Sequence, residues 1–232
     1  MPASTDYIDG TYLRQNPDWH VPDSAWKVRQ ILSILRRNRV VPRTVYDVGC
    51  GAGEILRLLQ QQFDTTAEFW GTDVSPQAIR MCQAKANDSL HFALAGDFPC
   101  ADRYFDLVIA MDVIAHVEDY RGFLRNLKSM GRYKLIHFPL DLSLQHILRE
   151  SSMVECQRRH PHFHYFLKRT AMFALADLGF DIVDWAFTPR AIDIPGHTRG
   201  KFLRIPRKIL FAINQDLAVK LLGGFSLVVL AR

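Results

Sequence analysis

Nowhere in the 232 residues does an apolar run approach the roughly 18 that a membrane-spanning helix needs. The opening MPASTDYIDG has no apolar core of the kind a secretion signal carries. The expected compartment is cytoplasmic, with peripheral attachment to a membrane as the variant to test. Cysteine is scarce: Cys50, Cys82, Cys100 and Cys156 lie far apart, with no C-x-x-C pair. That excludes a disulfide framework or a thiolate zinc knuckle and leaves reduced, mostly buried thiols. Acid-rich clusters are missing, so no catalytic magnesium is expected. Repeats and low-complexity linkers are missing too, which leaves one domain across 1–232. Excess charge is small, 29 Lys+Arg against 24 Asp+Glu, too little to mark a nucleic-acid-binding surface.

What is present is an alternation of short apolar runs with helical periodicity. DSAWKVRQILSILRR spaces Val28, Ile31, Leu32 and Leu35 along one helical face. TVYDVG, AEFWGTDV, LHFALAGD, FDLVIAMD, YKLIHFPL and FDIVDWAF read as strands separated by helices. A β–α repeat implies a parallel sheet covered on both faces, with ligands beyond the strands' carboxyl ends. The expected parts are an N-terminal helix and lid (1–40), a cofactor-binding core (41–188), a helical insertion (189–224) and a last strand (225–232).

Between the first strand and its helix stands VYDVGCGAGEI, with Gly49, Gly51 and Gly53 at every second position. Glycine there lets backbone approach a ligand and points amides at it. The third glycine comes one residue early for the dinucleotide pattern G-x-G-x-x-G. Asp47, just upstream, would repel a pyrophosphate and suits a cationic ligand.

D-V-G-C-G-A-G resembles the first motif of the class I, Rossmann-like S-adenosylmethionine-dependent methyltransferases. Asp73 with Val74 in GTDVS, Asp97 with Phe98 in AGDFP, and FDLVIAMDVIAHVED with Met111 follow in register. The resemblance implies an α/β fold with a doubly wound, seven-stranded, mostly parallel sheet whose last strand, FSLVVLAR, runs antiparallel beside the fifth. It implies S-adenosyl-L-methionine as cofactor, held by the loop of Gly49, Cys50, Gly51 and Gly53. Asp47 would face its amino-acid end, directly or through water, Asp73 its ribose, and Asp97 with Phe98 its adenine. A helix-cap role for Asp73 and a turn role for Asp97 are the plain alternatives. Cys50 can equally be a small packing residue, and Asp112 a turn former with no assigned role.

Methyl transfer from sulfonium needs orientation in a site closed to water, and a base when the acceptor is a hydroxyl. His116 lies just past the fourth strand. RRHPHFHYF carries His160, His162 and His164 at alternate positions, on one face if extended. His116 and His162, from separate loops, are the expected catalytic residues. His160, His164, Trp19, His20 and Trp26 are the expected acceptor-side residues, the last three in NPDWHVPDSAW as a lid. Three alternating histidines could share a metal, but none is assigned.

No Asn/Asp-Pro-Pro-aromatic motif follows strand four, which excludes the layout of base-modifying amino-methyltransferases and argues against DNA. The remaining length holds no added RNA-binding module. The expected function is O-methylation of a small-molecule acceptor, N-methylation second, of the kind found in secondary-metabolite or glycan biosynthesis. The alternatives are a non-catalytic cofactor-binding subunit acting through a partner, and a membrane-associated enzyme with a lipid-linked acceptor. The basic, apolar stretch 199–222 is either a helix over the acceptor pocket, a dimer face or a membrane contact.

Overall fold

A computed structural model describes residues 5–98, 103–148, 154, 162–194 and 198–232, with side chains of 5 and 198–203 outside the description. Helices α1 (Thr11–Gln15) and α2 (Ser24–Arg37) precede the sheet. On α2, Val28, Ile31, Ile34 and Leu35 are buried at spacings of three and four, which fixes the face laid on the sheet. Burying each of these contributes about 1.5–3 kcal/mol. Then β1 (Thr44–Val48), α3 (Glu54–Gln60), β2 (Glu68–Asp73), α4 (Pro76–Gln83), β3 (Leu90–Leu94) and β4 (Phe105–Ala110) alternate. The chain continues with α5 (Tyr120–Met130), β5 (Gly131–Pro139), α6 (Leu144–Ile147), α7 (Lys168–Asp177) and β6 (Ile182–Thr188). The helices α8 (Arg190–Asp193), α9 (Thr198–Ile213) and α10 (Gln215–Leu222) lead to β7 (Ser226–Ala231).

The seven strands form one sheet in the order β3-β2-β1-β4-β5-β7-β6. β1 to β5 pair in parallel, whereas β7 runs antiparallel between β5 and β6. The expected architecture is therefore observed, antiparallel strand included. The order reverses between β1 and β4, and the crevice opened there at the strands' carboxyl ends is where such sheets hold ligands.

Strand alternation sorts the core into two layers. Val45, Leu107, Ile109 and Leu135 pack with α2 and α3 on one face. Tyr46, Val108, Ala110, Ile136 and Phe138 pack with α5, α7 and α10 on the other. Asp47, two residues after Val45, falls on the α2 face. That parity decides its environment.

Candidate functional site

A cavity of ≈ 890 Å³ lies over the β1–β4 crevice. Its size sits in the upper part of the roughly 300–1,000 Å³ range of small-molecule sites. The glycine loop forms one wall. Gly49, Gly51 and Gly53 have φ of 78°, 55° and 75°, conformations that suit glycine. A Cβ on Gly51 would stand 2.7 Å from Cδ1 of Trp19, so the missing side chain lets that indole cover the loop. Contrary to the sequence expectation, the loop's amides are used internally. Gly49 and Cys50 donate to Thr72 O at 2.7 and 2.9 Å, and Gly53 to Cys50 O at 3.0 Å. Gly51 donates to Asp73 Oδ2 at 2.9 Å. A loop with these donors already engaged is not a phosphate cradle.

Asp73 ends β2 on the cavity wall, its other oxygen accepting from Ser75 N at 2.9 Å. The helix-cap role belongs to Ser75, whose hydroxyl accepts from Ala78 N. Burial raises the Asp73 carboxyl above its ordinary range, and the backbone donors oppose that rise. Val74, Cys50 and Met111 also line the cavity.

Asp47 is not in the lining. It is 1% exposed beneath the loop, on the α2 face, and neither carboxylate oxygen has a hydrogen-bond partner among the described residues. Burial pushes its carboxyl up to about 7, opposed by the Lys27 ammonium and reinforced by Asp73. Lys27, on α2, lines the cavity and pairs with Asp112 Oδ2 at 2.7 Å. Asp112, at the end of β4, has φ of 60°, a left-handed conformation costing about 1 kcal/mol or more for a non-glycine residue. Its second oxygen lies 2.5 Å from Nδ1 of buried His137, whose Nε2 meets Thr188 Oγ1 at 2.8 Å. Although burial alone would raise the Asp112 carboxyl, Lys27 and His137 hold it well below the usual range. Lys27 and His137 carry no sequence signature. Their shared pairing with Asp112 joins α2 to β5 across the site and emerges only from the fold.

The opposite wall holds two imidazoles. Phe163 N donates to Ala115 O at 2.7 Å, tying the segment after α6 to the loop after β4. This brings His116 and His162 to a ring separation of 4.7 Å, edge to face, both on the cavity. His162 Nδ1 donates to Asp141 Oδ2 at 2.8 Å. A neutral His162 held that way carries its lone pair on Nε2, the form a base requires.

The roof comes from the N-terminal segment. Tyr7, Tyr12, Trp19 and His20 line the cavity, with Tyr7 and Tyr12 rings 4.5 Å apart and His20 Nε2 3.0 Å from Tyr12 Oη. Trp19 and His20 have φ of 47° and 57°. Burial raises both phenols, Tyr12 to about 12, so they remain protonated donors.

Several expected site residues sit elsewhere. Trp26 is buried, its Nε1 donating to Asp193 Oδ2 at 2.8 Å, which ties α2 to α8. The His164 Nε2 is bound to the carbonyls of Val117 and Glu118, and its ring packs on Tyr120. Asp97 is exposed in a turn outside the lining, where Leu94, Ala95 and Gly96 form the wall instead. Phe98 stacks on Tyr46 with ring centres 4.6 Å apart, and Tyr46 is the ring that reaches the cavity. Gly53 faces Phe92 and Cys82 rather than the lining. His160 lies outside the described residues, as do Cys100 and Cys156. Cys50 and Cys82 are buried and reduced.

Residues 46–132 match the family model described as "Methyltransferase domain". Among curated proteins, ajmaline N-methyltransferase of Rauvolfia serpentina is 30% identical over 93 residues, 37% of this chain and 31% of that one. The ubiquinone biosynthesis O-methyltransferase of Methylobacterium sp. is 32% identical over 90 residues, 35% and 34% of the two chains. The matched region thus spans about a third of those relatives' length. Among solved structures, the partner of the Trm112 methyltransferase activator in a Haloferax volcanii complex superposes with a TM-score of 0.64 at 18% identity, covering 97% and 95% of the chains. Magnesium protoporphyrin IX methyltransferase from Synechocystis with bound SAH gives 0.57 at 19% identity, covering 89% and 81%.

Proposed function

We propose that this chain, whose residues 46–132 match a methyltransferase-domain model, is a class I, Rossmann-like enzyme that moves a methyl group from S-adenosylmethionine to a small-molecule acceptor, at oxygen first and nitrogen second. The residues fit that cofactor. Asp73, fixed by two backbone donors, offers its carboxylate edge to a ribose. Lys27 between Asp47 and Asp112 supplies one ammonium among carboxylates, which matches an amino-acid end carrying both a carboxylate and an ammonium. Gly49 and Gly51 put loop backbone on the cavity wall, and Leu94 to Gly96 supply the wall for its base. When bound, the sulfonium supplies an electrophilic methyl group.

The chain's own work is then orientation, exclusion of water and proton removal. Tyr7, Tyr12 and Trp19 close the roof, and aromatic faces stabilise a nearby sulfonium by about 0.5–2 kcal/mol. His162, oriented by Asp141, takes the acceptor's proton on Nε2, and His116 positions the acceptor beside it. The observation that carries the reading is one continuous cavity joining the glycine loop to this imidazole pair. Relatives named as O- and N-methyltransferases of small molecules support the acceptor class.

A second reading has the domain bind cofactor and act through a protein partner; the Haloferax complex with an activator favours keeping it. Calorimetry with S-adenosylhomocysteine, followed by turnover against a panel of phenolic, hydroxy-acid and amine acceptors, separates the readings. An enzyme binds and turns over alone. Binding with no turnover until a partner is added selects the second reading. Response to a nicotinamide cofactor instead overturns both.

A further inference from the structure

Along α9 the burial pattern inverts. Its inner side is fixed: Arg207 is buried, donating to Leu222 O at 3.2 Å and Gln145 Oε1 at 3.3 Å. Phe211 stacks on Phe225 with ring centres 5.2 Å apart. About half a turn away, Ile205, Ile209 and Ile213 stand 68%, 56% and 76% exposed. Spacing of four puts these three isoleucines in one stripe aimed at solvent. Leu217, in the first turn of α10, is exposed as well. Arg204, Lys208 and Lys220 are exposed on the same two helices. Residues 198–222 hold six Lys or Arg against Asp216 alone, and Lys168 pairs with that acid.

An apolar crest flanked by cations is the form of a helix lying in the boundary between lipid headgroups and acyl chains. A second copy fits poorly, because a two-fold axis on the crest would bring these cations against one another. We propose that α9 and the start of α10 dock this protein on an anionic bilayer, the isoleucines entering the boundary layer and Lys208 and Lys220 lying among the headgroups. The surface is bolted to the cavity. Arg204 Nε donates to Ile192 O at 2.7 Å, and within α8 Arg190 pairs with Asp23 at 2.6 Å. Arg190 and Asp23 both line the cavity, so the docked helix sits one short helix from its rim.

The proposal stands apart from the proposed chemistry, and its test needs no turnover. The full chain is sedimented with phosphatidylcholine vesicles containing or lacking phosphatidylglycerol. Binding to the anionic vesicles alone, weakened by salt, is expected. Ile209→Asp with Ile213→Asp should abolish it. Lys208→Gln and Lys220→Gln should each weaken it about fivefold, the effect of one cation near an anionic surface. Unchanged melting temperature and S-adenosylhomocysteine affinity in each variant show that fold and cofactor site persist. Absence of pelleting overturns the proposal, as does pelleting indifferent to phosphatidylglycerol or to the aspartates. A dimer in solution that the aspartates split into monomers assigns the face to a second copy and overturns it too.

Discussion

Lys27 Nζ lies 2.7 Å from Asp112 Oδ2, and Asp112 in turn holds His137, so one carboxylate ties helix α2 to β5 of the sheet. The ammonium is positioned before any ligand arrives. A cation held this way meets an incoming carboxylate without reorganisation.

Lys27→Met should therefore weaken S-adenosylhomocysteine binding by about tenfold to a hundredfold, the worth of a hydrogen bond to a charged group. Calorimetry measures it directly. An unchanged dissociation constant removes Lys27 from the cofactor site.

Asp73→Ala should do two things at once. Gly51 N and Ser75 N lose their acceptor, costing about 1–3 kcal/mol of stability. Cofactor affinity should drop by more than about tenfold, since the ribose loses a charged acceptor. Asp73→Asn, which keeps one acceptor oxygen, should recover part of the stability and less of the affinity. Equal affinity across all three proteins would contradict the assignment.

Asp47 predicts a pH signature of the ligand-free protein. Its carboxyl ionises near 3.8 when unfolded and near about 7 when folded. Between those values the folded state holds the extra proton, so this group's contribution falls as pH rises through that window and levels off above it. Asp47→Asn replaces it with a neutral isostere and removes the slope. Wild type should therefore lose melting temperature relative to the variant between pH 5 and pH 8. Parallel curves would show that Asp47 does not take up that proton.

His162→Ala should lower kcat by about 10²–10⁴ while leaving cofactor affinity unchanged, if it is the base for a hydroxyl acceptor. Asp141→Asn should reproduce part of the loss by releasing the ring's Nδ1–H partner. Steady-state kinetics beside calorimetry reads both. Normal turnover with a hydroxyl acceptor would exclude His162 from proton removal.

The sheet was legible because its signals are local: apolar runs, glycine at a strand-to-helix turn, a serine cap before proline. The convergence of His116 and His162 was legible from loop placement alone, since both follow strands whose carboxyl ends meet. The burial of Asp47 was not legible, because its motif says nothing about strand parity, and parity sends it towards α2. His164 was grouped with His162 as a neighbour on one extended face, yet its ring turns to the Val117 and Glu118 carbonyls. Lys27 and His137 were invisible. Each sits in an unremarkable stretch, and their meaning comes from a partner far along the chain.

The placement of β7 between β5 and β6 has a kinetic consequence. β6 neighbours β7 at the sheet's outer edge, yet residues 189–225 separate the two in sequence. During folding β6 must wait for a partner that arrives after three helices, and closing so long a loop slows nucleation. Amides of β6 should therefore gain exchange protection together with those of β7, after the β1–β4 half has already formed. Until then an unpaired edge stays open to other chains, the stage at which this protein would be most prone to misassembly.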